Sequence, residues 1–141
     1  MLDTIEFELV TPEKLMISMT ASMVVIPGAE GDLGILPSHT PIISSIRTGV
    51  IDVHNESKIE RKIFVSGGSV EMIVDHCTVL ADEAIFLDDA DQNSISQRLL
   101  AARKALEEVS AEDPSRPRFE KELFLAEALK DALESSRKSS S

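Results

Sequence analysis

The hydrophobic pattern of this 141-residue chain changes period near residue 88, so no single kind of secondary structure serves both halves. From residue 4 to about 87, apolar side chains return every second position. Ile5, Phe7 and Leu9 alternate with Thr4, Glu6 and Glu8, which predicts a strand with one buried and one wet face. Leu15–Met19, Ala21–Ile26, Leu33–Leu36, Ile42–Ile46 and Val50–Val53 read as further short strands, with Gly49 as a turn before Val50. Lys62–Ser66 and Ser69–Val74 flank Gly67-Gly68, a pair suited to a two-residue hairpin turn. A second hairpin is expected to turn near Asp75-His76 and run through Cys77 to Leu80, with a short segment at Ala84–Leu87. Many short antiparallel strands without an intervening helix predict a small sandwich or barrel.

Beyond an acidic boundary at Asp88, Asp89 and Asp91, the apolar spacing becomes helical. Ser94 and Gln97 read as a capping box, and Ile95, Leu99, Ala102, Leu106 and Val109 form one stripe. Asp113-Pro114-Ser115-Arg116-Pro117 breaks the pattern. A second helix is expected from about Arg118 to Glu134, with Phe119, Leu123, Ala126, Leu129 and Leu133 on one face and Phe124 pointing away. Two such helices joined by a short proline-bearing loop predict an antiparallel hairpin. The division is thus 1–87 for the β domain and 88–141 for the helical part, ending in a disordered serine-rich tail from about 135.

The net charge of −11 argues against nucleic acid and against an anionic membrane surface. Residues 1–87 hold 5 basic and 13 acidic groups, whereas residues 88–141 hold 9 and 12. The helical half is therefore better able to meet an acidic partner, through Arg98, Arg103, Lys104, Arg116, Arg118, Lys121 and Lys130. No apolar run approaches the ~20 residues of a membrane-spanning helix, and no secretion signal opens the chain, so the cytosolic side is the default and direct membrane insertion is not expected. The single cysteine, Cys77, excludes an internal disulfide and sits in an apolar run that favours a structural thiol.

Pro27 to Pro41 crowds prolines, glycines, acids and a histidine between two strands, which marks either a shaped binding edge or an active-site loop. Chemistry finds little support there. Ser38 beside His39 lacks a Gly-x-Ser-x-Gly elbow, and a triad completed by Asp32 would need unusual geometry. Gly28, Gly31 and Gly34 are followed by no lysine-serine or lysine-threonine, so a phosphate loop is rejected. His54, His76 and Cys77 lack metal-ligand spacing, and Glu30 with Asp32 reads as a solvated acid pair. His39 is better read as a contact residue or an organiser of the loop, with an incidental surface histidine as the alternative. Surface recognition is the class that remains.

The ordered set of motifs resembles the epsilon subunit of bacterial F-type ATP synthases. It comprises Phe7-Glu8-Leu9-Val10-Thr11-Pro12-Glu13, the run from Val25 through Pro41, Phe64-Val65-Ser66-Gly67-Gly68 and Val79-Leu80-Ala81-Asp82-Glu83-Ala84. The resemblance implies a mainly β chain with a helical appendage: an N-terminal β-sandwich of two antiparallel sheets, then an antiparallel two-helix hairpin. It implies a non-catalytic central-stalk subunit at the cytoplasmic face of the bacterial inner membrane, bound to the gamma subunit and the c-subunit ring. Such a subunit couples proton-driven rotation to ATP synthesis. Its hairpin, when extended toward the alpha/beta hexamer, inhibits ATP hydrolysis.

Carried over residue by residue, the ring-facing contacts fall on Glu30, Gly31, Asp32 and His39, and the regulatory helices carry Arg98, Arg103, Arg116, Arg118, Lys121 and Lys130. No cofactor is implied except a regulatory ATP in some relatives, held by an Ile/Leu-Asp-x-x-Arg-Ala signature. Here that signature reads Leu99-Leu100-Ala101-Ala102-Arg103-Lys104: Arg103 is retained as an ATP-contact candidate, while Leu100 replaces the aspartate and Lys104 the alanine. A generic protein-binding sandwich with no rotary role is the alternative.

Overall fold

A computed structural model describes residues 4–38 and 40–139, so His39 lies outside the described residues. The chain divides into two compact units, Met1–Asp88 and Asp89–Ser141. Among the described residues, the first unit contains eight strands: β1 (Ile5–Val10), β2 (Leu15–Ala21), β3 (Met23–Gly28), β4 (Gly31–Ile35), β5 (Ile42–Asn55), β6 (Lys58–Ile73), β7 (His76–Ala81) and β8 (Ala84–Phe86). They are hydrogen-bonded in the order β2-β1-β7-β6-β5-β3-β4, with β8 on β6. This mainly β fold is a sandwich whose two layers share their longest strands. The pairing of β1 with β7 is parallel, a departure from the wholly antiparallel sheets expected.

The sharing follows from register. The first part of β5, Ile42–Ile46, pairs with Met72–Gly68, and that end of β6 also pairs with β7. The second part of β5 pairs with Lys58–Phe64, whose other edge carries β8, while β3 joins β5 at Asp52–His54. One ribbon therefore passes from one layer into the other. Its inward face is even-numbered at Ile46, Val70 and Met72 but odd-numbered at Ile51, Val53, Ile63 and Val65.

Glycines make that passage possible, and they correct two expectations. Gly67-Gly68 is not a hairpin turn; both lie inside β6 with φ of 112° and 133°. A Cβ on Gly68 would stand 1.9 Å from the Leu80 carbonyl oxygen, so the strands approach too closely for any side chain. Gly49 likewise does not end a strand: a Cβ there would meet Pro27 Cβ at 2.9 Å, and β5 continues through it. The true turns are Glu56-Ser57 between β5 and β6 and Val74-Asp75 between β6 and β7, the latter one residue before the expected position.

Alternation in β1 is as written in the sequence, with Ile5, Phe7 and Leu9 fully buried among inward residues of β2 to β7. Cys77 belongs to the same core, and burial pushes its thiol up to about 12, so it stays protonated and inert at neutral pH.

The second unit is a helical hairpin of α1 (Gln92–Glu107) and α2 (Arg116–Ser139). Its seam buries Leu99, Ala102 and Ala126, with Leu123 packed against them. The cap of α1 is Asp91 rather than Ser94. The Asp91 carboxylate accepts from the Asn93 amide at 3.1 Å and from the Ser94 hydroxyl at 2.8 Å. These bonds, the Ser94 hydroxyl first, hold its pKa below the ordinary carboxylate value. α2 begins at Arg116, two residues earlier than expected, because Pro117 falls in the first turn, where its missing N–H costs nothing. The helix also runs on through Ser139, past the onset expected for the serine-rich tail.

Candidate functional site

The acidic glycine-rich segment forms the β3–β4 hairpin, with Gly28 opposite Gly31 and Pro27 opposite Asp32. Ala29 and Glu30 make the turn, and Gly31 takes φ 147°. Glycine is required at position 28 as well, because a Cβ there would lie 2.6 Å from the Gly31 carbonyl oxygen. The tip is fastened to β5 twice: the Ala29 amide donates to the Ser45 carbonyl at 2.9 Å, and Arg47 reaches over from the strand. The Arg47 guanidinium donates to the Gly28 carbonyl and pairs with Asp32 Oδ1 at 2.6 Å. Glu30 and Asp32 both remain exposed.

The connection from β4 to β5 carries Ser38, at φ 63°, whose amide donates to Asp75 Oδ1 at 2.6 Å. This bond ties the connection to the Val74-Asp75 turn. Both turn residues have positive φ, 44° and 62°, a costly state for a β-branched valine. Val74 and Ile43 are each 80% exposed, and Leu36 and Ile73 are also exposed. The β3–β4 tip thus bears on the first half of β5, and the connection bears on the β6–β7 turn. A hydrolytic arrangement gains nothing from this geometry, since Asp32 is occupied by Arg47 and Ser38 is tied through its backbone amide to Asp75.

In the hairpin, the basic residues have unequal surroundings. Arg98 forms a two-pronged pair with Glu122, Nε to Oε2 at 2.9 Å and Nη2 to Oε1 at 3.1 Å, which bridges the two helices. Arg116 donates to the Val109 carbonyl at 3.1 Å, beyond the end of α1, and faces Glu120 at 3.7 Å. Arg103 stands 4.0 Å from Glu127, and Arg118 lies over the Phe119 ring at 5.4 Å. Lys121 is exposed and Lys130 half-buried. Lys130 lines a space of about 10 Å³ with Gln92, Ile95, Leu133 and Arg137, room for no more than a water molecule. Leu100 and Phe124 project from the hairpin, at 57% and 59% exposure.

A sequence model of the family described as ATP synthase, Delta/Epsilon chain, beta-sandwich domain, matches residues 4–87. An ATP synthase epsilon chain of Rhodospirillum rubrum is 44% identical over 138 residues, covering 98% of this chain and 99% of the relative. The chain belongs to the ATP synthase epsilon-chain family. Another member, from Rhodospirillum centenum, is 41% identical over 140 residues, with 96% and 95% covered. In fold, the chain is similar to one in the Euglena gracilis mitochondrial ATP synthase, solved with OSCP, F1 and the c-ring. The TM-score is 0.75 and the identity 21%, with 94% of this chain and 83% of that chain covered.

Within this epsilon-family chain, sequence reasoning overlooked Arg47, Asp75 and Glu122. Each acts on a partner 15 or more residues away, which no local pattern records. One signal was available for Arg47: it is the sole lysine or arginine between Lys14 and Lys58. Among the described residues, no group of three His, Cys, Asp or Glu is placed to hold a metal ion, and no helix is long and apolar enough to cross a membrane. His76 Nδ1 instead faces Glu6 at 3.3 Å.

Proposed function

We propose that this epsilon-family chain is a non-catalytic subunit of the central stalk, joining the gamma subunit to the c-subunit ring at the cytoplasmic face of the bacterial inner membrane. The near full-length identity with ATP synthase epsilon chains carries this reading. In it, the β3–β4 tip and the 36–41 connection meet polar loops of the ring, with Glu30, Asp32 and His39 as acceptors and donors. A tip held by glycines, a backbone bond and an arginine loses little conformational entropy when it docks, which favours affinity without a large contact area.

The helical hairpin is the regulatory element of the proposal. Its seam of alanines and leucines closes upon itself, so the hairpin keeps a core of its own while Leu100 and Phe124 stay available to a partner. Opening it would release Arg98 from Glu122 for a carboxylate of a partner, in this proposal the alpha/beta hexamer. A regulatory ATP would meet Arg103, but Glu127 beside that guanidinium repels phosphate and Leu100 offers no hydrogen bond, so no cofactor enters the proposal.

Replacing Glu30 and His39 together with alanine in the assembled enzyme is expected to weaken retention of the subunit on the stalk by about ten-fold. Coupling of ATP hydrolysis to proton pumping should fall with it. Unchanged retention and unchanged coupling would remove Glu30 and His39 from the contact.

A further inference from the structure

We infer that Arg47 is the positioning residue of the β3–β4 tip, setting the angle of the hairpin and the orientation of the Asp32 carboxylate before any partner arrives. This rests on the reading of the tip as a ring contact. Three observations converge on it. β3 pairs with β5 at Asp52–His54 and again at Ile46, with a register shift between Val25 and Gly28, so the strand bends where the tip begins. Ladder pairing therefore lapses just before the tip and resumes at Gly28 opposite Ile46 and the Ala29–Ser45 bond, beside which Arg47 adds a side-chain hold. Arg47 is next to Ile46, and its two nitrogens take different parts of the tip: Nη1 holds the Gly28 carbonyl at the end of β3, and Nη2 holds Asp32 Oδ1 at the start of β4. A planar fork fixes a direction as well as a distance, which a lysine ammonium does not.

The pair is also placed to be read from outside. Side-chain exposure is 46% for Arg47 and 64% for Asp32, so the clamp lies at the surface rather than in the core. Asp32 is then an oriented acceptor whose charge is partly offset, while Glu30 at the turn is an exposed carboxylate with no such clamp. A donor on the ring meets one fixed and one adaptable acid. Arg47 acts through Asp32 and the Gly28 carbonyl.

Full-length variants titrated onto ATP synthase membranes stripped of this subunit test the assignment, with retention and ATP-driven proton pumping as readouts. Arg47→Met is expected to weaken binding by about three- to ten-fold through faster dissociation, with an unchanged melting temperature for the free chain. Arg47→Lys should recover only part of the loss, and it carries the same test if methionine unfolds the corner. Asp32→Ala combined with Arg47→Met should lose clearly less than the product of the two single losses, because part of the arginine's effect passes through the aspartate. Losses that multiply would show Arg47 touching the partner independently and would overturn the positioning role. Weak binding by Asp32→Ala beside wild-type binding by Arg47→Met overturns it too, while leaving the ring contact standing. Wild-type binding by Glu30→Ala, Asp32→Ala and Arg47→Met alike would sink the ring contact itself.

Discussion

Gly68→Ala is expected to destabilise the β domain by at least about 3 kcal/mol, enough to abolish folding in a marginal background. The new Cβ would sit 1.9 Å from the Leu80 carbonyl oxygen and 2.9 Å from Ala81 Cα, both backbone atoms that cannot yield without breaking the β6–β7 ladder. The backbone angle, φ 133°, adds strain of its own. Two other glycines calibrate the result. Gly67→Ala meets Asp82 Oδ2 at 3.4 Å and the Ile46 carbonyl oxygen at 3.9 Å, both ordinary contacts, so its cost is the strain of φ 112°, about 1–3 kcal/mol. Gly34→Ala meets nothing within 4 Å and should be near neutral. Urea melts of the three full-length variants would check the order. Equal costs at positions 34 and 68 would refute the corner assigned to the long strands.

That corner is also where local sequence reasoning stopped working. Ile5, Phe7 and Leu9 announced β1 because alternation is decided residue by residue, and the leucine and alanine spacing announced the helices for the same reason. Gly67-Gly68 is ambiguous at that level. The same two residues suit a tight turn or a close strand crossing, and the choice depends on Leu80, a dozen residues away. Asp91 and Ser94 pose a smaller version of the problem, since either can cap and only the backbone of Asn93 shows which does. At the site, the acids and glycines of the β3–β4 tip stood out by composition, but the cation that holds them came from another strand.

Ending the chain at Asp88 is expected to raise ATP hydrolysis by the assembled enzyme about five-fold or more, the lower end of a typical coupling free energy. The cut falls at the boundary between the two compact units and spares the pairing of Arg61 with Asp88. The β domain keeps its own core of residues from β1 to β7, so binding to the stalk should survive. What is lost is a hairpin whose packing is modest. Its buried seam includes two alanines, and its main polar bridge, Arg98 to Glu122, is part-buried and exchangeable for another carboxylate. Phosphate release at saturating ATP is the readout. No rise in rate, with the truncated subunit still bound, would mean that this hairpin does not inhibit.

Proton pumping per ATP hydrolysed, in membranes stripped of this subunit and then given back the full-length chain, tests the rotor role most directly. Addition is predicted to raise that ratio to a saturating plateau. A ratio that is the same with and without the chain, while the chain is demonstrably bound, would contradict a coupling function.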